Sequence, residues 1–175
     1  MTLKDLLQKN KTAIAEKWLD RTLETYASRT AVFFKQTKDP FANPVGAGLR
    51  EGLAELLDGL IRGVEPESLS SALDRVIRVR AVQDFAPSAA VSFVFDLKDL
   101  VREALGVTNA DGEKSMDMIG NRIERLGLIA FDVYMGCREQ MWAIRAQEIR
   151  NQSVGIMERV AAWRERREEN SETHR

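Results

Sequence analysis

The sequence holds one histidine and one cysteine, and the histidine is badly placed for chemistry. His174 lies in the polar run Glu168-Glu169-Asn170-Ser171-Glu172-Thr173-His174-Arg175. A histidine zinc cluster, a Cys–His pair and a Ser–His–Asp triad each need an imidazole held in a packed site, and so does a histidine-ligated haem. Those chemistries are excluded, and no metal or cofactor is expected. Cys137 alone cannot make an internal disulfide framework. No apolar run approaches the ~20 residues that cross a bilayer, so membrane insertion is not expected. An excess of either charge is missing too: 26 Lys and Arg meet 27 Asp and Glu. A nucleic-acid partner therefore gets no support from overall charge. No glycine-rich phosphate loop appears, nor any carboxylates paired with a nucleophile, so the chain is not expected to be an enzyme. The start, Met1-Thr2-Leu3-Lys4-Asp5, lacks the basic-then-apolar pattern of a signal peptide. A cytoplasmic location is the expectation.

What is present reads as helix. Hydrophobic residues make up 44% and charged residues 30%, values of an ordinary globular core rather than of disorder. The length suits one domain. The expected division is a helical domain over 1–163 and a polar, frayed tail over 164–175. The stretch from about Glu113 to Arg150 organises the rest. It has no proline, and Met116, Ile119, Ile123, Leu126, Ala130, Val133 and Cys137 recur at steps of three and four, which places them on one helical face. At ~1.5 Å per residue such a helix is ~55 Å long, so shorter helices must pack along it. Cys137, on that stripe, reads as a small buried apolar residue rather than a nucleophile.

Five helices precede it. The first runs from about Leu3 to Tyr26 with Trp18 as a core anchor, and Thr12 is a possible cap for a restart. A short one follows Ser28. The loop Lys38-Asp39-Pro40-Phe41-Ala42-Asn43-Pro44-Val45-Gly46 leads to the third, with Asn43 as N-cap and Pro44 in its first turn. That loop has two readings: a rigid elbow with Phe41 tucked beneath it, or a docking or ligand loop built on Phe41, Asn43 and Pro44. The third helix carries Leu49, Leu53, Leu56, Leu57 and Leu60 and stops at Gly63. The fourth opens at Glu65-Pro66-Glu67-Ser68 and reaches about Phe85. The fifth starts at Ala86-Pro87-Ser88, ends near Leu105, and is apolar nearly all round.

The fourth helix has the oddest pattern. Its inner stripe, Leu69, Leu73, Val76 and Ile77, runs on into Arg80, Gln83 and Asp84. A charge on an apolar face has to be paired or wet, because burying it alone costs several kcal/mol. Either Arg80 and Asp84 pair at i, i+4, or Arg80 faces a pocket for a carboxylate or phosphate. On the long helix, Gly120 and Gly127 share a face that lets another helix come close. Adjacent Arg138 and Glu139 cannot pair with each other across one face.

Three runs carry a family resemblance: Phe41-Ala42-Asn43-Pro44-Val45-Gly46, Arg78-Val79-Arg80-Ala81-Val82-Gln83-Asp84-Phe85-Ala86-Pro87-Ser88, and Tyr134-Met135-Gly136-Cys137-Arg138-Glu139. In order and spacing they resemble the N-terminal domain of RsbRD-type RsbT co-antagonists, over about Leu3 to Arg150. The resemblance implies an all-α, globin-like bundle of about six helices without haem, with one long C-terminal helix. It implies a sensory or regulatory domain that forms a homodimer and acts on a regulatory or redox-pathway protein. In such proteins a STAS domain follows. Here the chain ends about where it would begin, so a stand-alone domain is expected, which weighs against direct kinase regulation. Carried onto this sequence, the family's motifs make Arg80, Gln83, Asp84, Tyr134, Arg138 and Glu139 the candidate ligand or signal network. The leading expectation is a non-catalytic sensor or adaptor that dimerises through the long helix. The alternative is a carrier of a fatty acid or anionic metabolite, with Phe93, Phe95, Phe131 and Met135 lining its pocket and Arg80 meeting a carboxylate.

Overall fold

The computed structural model describes residues 3–83, 85–106 and 110–172, and side chains for all of these except 110, 111 and 165–172. The described residues form six α-helices and a 3-10 turn, with no strand. They are α1 Leu3–Glu24, α2 Ser28–Gln36, α3 Pro44–Arg62, the turn Pro66–Leu69, α4 Ser70–Val82, α5 Pro87–Leu105 and α6 Ala110–Glu172. The chain divides into two compact units, Met1–Cys137 and Arg138–Arg175. The all-α class and the long last helix are as the periodicity requires.

In the first unit α1 lies against α3 and α5, and α3 against α4. Trp18 is fully buried, as its place on the stripe predicts. Its ring stacks on Phe93 at 6.0 Å, and its Nε1 donates to the Phe93 carbonyl at 2.6 Å. One residue thus supplies apolar area and satisfies its own polar atom, as a buried indole must. No break occurs at Thr12, because α1 runs unbroken through it.

Both ends of α3 follow from sequence. Asn43 Oδ1 accepts from Gly46 N at 2.8 Å, and Pro44 occupies the first turn, where a missing N–H is harmless. Gly63 adopts φ 80°, and Gly63 N and Val64 N donate to the carbonyls of Leu60 and Gly59. That left-handed closure is why a glycine stands there. Between the caps the five leucines are buried, each contributing ~2 kcal/mol. The early glycines also have a spatial reason. A Cβ on Gly52 would lie 2.7 Å from Val76 Cγ2 and 3.1 Å from the Ala72 carbonyl of α4, and one on Gly46 would strike the Asn43 amide.

A polar clasp ties α1 to α3. Lys11 Nζ meets Asp58 Oδ1 at 2.5 Å, and Arg62 Nε meets Asp58 Oδ2 at 3.0 Å. The Lys11 hydrogen bond, above all, holds the Asp58 carboxyl below the usual carboxylate range, against the opposing effect of burial and with the Lys11 and Arg62 charges adding to it. A lowered folded-state pKa stabilises above the unfolded value and is lost as pH falls through the folded one. Asp58→Asn is therefore expected to lower the melting temperature at pH 7 by about one or two degrees, as a half-exposed pair allows. The difference should narrow in acid, as pH falls from the usual carboxylate range through the lowered folded-state pKa. Thermal melts of both chains at pH 7 and pH 3 check this.

α4 is shorter than its pattern. Pro66–Leu69 forms a 3-10 turn, and the helix begins only at Ser70 and ends at Val82 rather than near Phe85. Phe85 instead turns in to meet Tyr26 edge-on at 5.3 Å. α6 buries Met116, Ile119, Ile123, Leu126, Ala130 and Cys137, the predicted stripe, with Tyr134 buried and Val133 only half-buried. Arg122 donates to the Val64 carbonyl, Arg125 pairs with Glu67, and Lys98 pairs with Glu124 at 2.8 Å. Among the described residues no helix is long and apolar enough to cross a membrane.

Candidate functional site

The most unusual polar group in the first unit is Arg80, whose side chain has no solvent exposure. It sits at the end of the α4 stripe because Ala72, Leu73, Val76, Ile77 and Ala81 turn that face inward. Its Nε donates to the Ala90 carbonyl at 2.8 Å, Nη2 to the Ala89 carbonyl at 2.7 Å and Nη1 to Thr25 Oγ1 at 3.0 Å. Thr25 passes the chain on to the Thr22 carbonyl at 2.7 Å. The guanidinium lies over the rings of Phe85, Tyr26 and Phe93, at 4.5, 5.4 and 5.5 Å. Cation–π attraction of this kind is worth ~2 kcal/mol where water is excluded. Burial holds the Arg80 pKa below its usual range, with Tyr26 and the Asp96 charge acting the other way. Burial pushes the Tyr26 hydroxyl up, against the pull of Arg80. That hydroxyl has no hydrogen-bond partner among the described residues.

Arg80 thus faces the first turn of α5. Asp84 lies outside the described residues, so the expected i, i+4 pair does too. Gln83 is exposed and does not join the cluster. Tyr134 is buried, and its hydroxyl donates to the Phe85 carbonyl at 2.5 Å. Arg80 and Tyr134 therefore grip the α4–α5 junction from two sides, one by the Phe85 ring and one by its carbonyl. Phe85 is the link that pattern reading missed. It falls off the α4 stripe, and only the early end of α4 frees it to turn inward. Arg138 and Glu139 belong to the second unit, where Arg138 is half-buried and Glu139 exposed.

Cys137 is buried, with Sγ 3.9 Å from Asp74 Oδ1, while Asp74 Oδ2 takes Arg78 Nε at 2.6 Å. Burial and then the Asp74 charge push the thiol up, with Arg78 opposing. A thiol so held is a poor nucleophile. Among the described residues no three His, Cys, Asp or Glu stand close enough to hold a metal ion.

The second candidate is the α2–α3 loop. Asn43 is 1% exposed and donates from Nδ2 to the Thr37 carbonyl at 2.8 Å and the Phe34 carbonyl at 3.2 Å. Arg50 donates to the same two carbonyls, at 2.7 Å to Phe34 and 3.3 Å to Thr37. Phe41 N bonds Asp39 Oδ1 at 3.0 Å, and Asn43 N bonds the Asp39 carbonyl at 2.9 Å. The elbow is closed by hydrogen bonds, but Phe41 is not tucked beneath. It is 97% exposed. Pro44 is exposed as well.

The third is the outer face of α5 and α6. Gly127 receives the Phe95 ring, which a Cβ would meet at 2.4 Å, and Gly120 lies beside the Lys98 chain at 3.2 Å. The close approach at both glycines comes from side chains of this same chain. Phe93 is core, whereas Phe95, Leu128, Phe131 and Met135 are exposed. Two surface hollows, about 230 Å³ beside Ile14 and Leu100 and about 210 Å³ beside Leu23 and Val32, contain none of the candidate residues. Both fall below the ~300 Å³ where small-molecule sites begin.

The sequence matches the family described as RsbT co-antagonist protein rsbRD N-terminal domain over residues 12–149. It is 28% identical over 138 residues to an uncharacterized protein of Archaeoglobus fulgidus, covering 77% of this chain and 82% of that one. No solved structure matches it.

Proposed function

This chain belongs to the family of RsbT co-antagonist protein rsbRD N-terminal domains, and from that premise we propose that it is a non-catalytic regulatory domain that pairs with a second copy and transmits a signal to a partner protein by a shift of packed helices. The observation that carries the pairing is the apolar surface on α5 and α6. Leu128, Phe131 and Met135 recur at three and four residues on one side of α6, 70%, 43% and 37% exposed, and Phe95 lies over Gly127 next to Leu128. Contiguous exposed apolar groups of this kind mark an interaction site. The signal enters where Arg80 and Tyr134 hold the α4–α5 junction, and the exposed Phe41 on its rigid loop is the point offered to the partner, a regulatory or redox-pathway protein in the cytoplasm. A ring fixed in advance on a stiff loop binds with little ordering cost.

Light scattering tests the pairing. The wild type is expected as a dimer and the Leu128→Glu/Phe131→Glu variant as a monomer with unchanged helical circular dichroism, since both positions are exposed. A variant that stays dimeric would remove this face from the account.

A further inference from the structure

The second unit carries a surface with its own logic. Trp142, Ile149, Ile156 and Trp163 stand seven residues apart along α6 and are 62%, 64%, 54% and 53% exposed. Four residues after each of the first three come Ala146, Ser153 and Val160. Spacing of four and three in alternation is the seam of a coiled coil, with the large residues at d and the small ones at a. The stripe is narrow: Ser153 at a is polar, and of the flanking e and g positions only Ala143 and Met157, both at e, are apolar. A helix lying on a membrane needs a broader one, and here Ile144 and Val154 fall outside the stripe.

The positions beside the seam decide what it takes. Each charged residue at e or g between 142 and 164 is an arginine: Arg145 and Arg159 at g, Arg150 and Arg164 at e. The acids Glu148 and Glu158 sit at c and f, away from the seam. Arg150 Nη2 bonds Gln147 Oε1 at 2.8 Å and Arg159 Nε the Gly155 carbonyl at 3.0 Å. Among the described residues no salt bridge engages these four arginines. In a parallel pair of identical helices, g of one faces e of the other, so Arg145 meets Arg150 and Arg159 meets Arg164. In an antiparallel pair, e faces e and g faces g, so arginine again meets arginine. Either arrangement of two copies sets like charges along both edges of the seam.

We propose that residues 142–163 dock an amphipathic helix of a different protein, one that is apolar at its own a and d positions and acidic at e and g. Carboxylates there pair with the guanidinium forks, and small side chains opposite Trp142 and Trp163 make room for the indoles. This partner chemistry rests on the reading of the chain as a partner-binding regulator, but it uses a surface separate from the Leu128–Phe131 face.

The test is isothermal titration of the full chain with two synthetic helical peptides that share one leucine–alanine core and differ only at e and g, glutamate in one and lysine in the other. The glutamate peptide is expected to bind about tenfold or more tightly than the lysine peptide at low salt, the gap narrowing as salt rises. Arg145→Glu/Arg150→Glu/Arg159→Glu/Arg164→Glu should reverse that order, and Ile149→Asp/Ile156→Asp should abolish binding of both. Equal affinity for the two peptides, or binding of neither, overturns the proposal. So does binding to phosphatidylglycerol vesicles without binding to the glutamate peptide, or a wild-type dimer that Ile149→Asp/Ile156→Asp dissociates. Light scattering on the Leu128/Phe131 variant reads the self-pairing independently, so either idea can fail alone.

Discussion

Replacing Arg80 by alanine is expected to cost about 3–5 kcal/mol of folding stability, roughly 10 °C or more in melting temperature for a chain of this size. Three effects compete. Truncation empties a site where the side chain is 0% exposed and ringed by Tyr26, Phe85 and Phe93. It removes three hydrogen bonds from a charged donor, each worth ~1.5–3 kcal/mol. Against these, it relieves the several kcal/mol spent in desolvating a guanidinium. The last two nearly offset one another, which leaves the lost packing as the deciding effect. Methionine at 80 restores most of the volume without the charge and should recover most of the loss. Lysine keeps the charge but lacks the planar fork that reaches Ala89, Ala90 and Thr25 together, so it should resemble alanine. Urea unfolding of the three variants checks the order. An alanine variant within about 1 kcal/mol of wild type would mean that Arg80 does not join α1, α4 and α5.

Asn43→Ala should cost about 2–4 kcal/mol, of which ~1–2 is the lost cap of α3. The sharper expectation concerns Arg50. Asn43 and Arg50 donate to the same two carbonyls, Phe34 and Thr37. Either single variant leaves each carbonyl one donor, and only the double variant leaves both without. Asn43→Ala/Arg50→Ala is therefore expected to exceed the sum of the singles by about 1–2 kcal/mol, since an abandoned buried acceptor costs more than a shared one. A urea double-mutant cycle measures that coupling. Strict additivity would show that the two side chains do not brace the loop jointly. The same double variant frees the backbone that presents Phe41, and it should weaken partner binding even at temperatures where the helices stay folded.

The helices were legible because their signals are local. Asn43-Pro44 opens α3, Gly63 closes it, and the α6 stripe follows from spacing alone. Trp18 and Cys137 are buried for the same reason. Arg80 stood out as a charge on an apolar face, but its partners did not, because backbone carbonyls of Ala89 and Ala90 leave no mark in a sequence. Of the two readings of the loop, the one with Phe41 covered fails, since a loop has no periodicity from which a face can be deduced. Thr12 looked like a cap, yet α1 gains more by continuing past it with Leu7 and Ile14 both in the core. The seam over 142–163 was hidden by its period. Its steps of four land on Ala146 and Ser153, small residues that do not mark an apolar stripe. Read at seven, with its arginine edges, it resolves.

Native mass spectrometry of the full chain, purified without denaturation, tests the regulatory-dimer account most directly. The account predicts a dimer at twice the bare polypeptide mass. A monomer, or subunits that each carry the added mass of a small molecule, would contradict it, and the second result would make the chain a carrier.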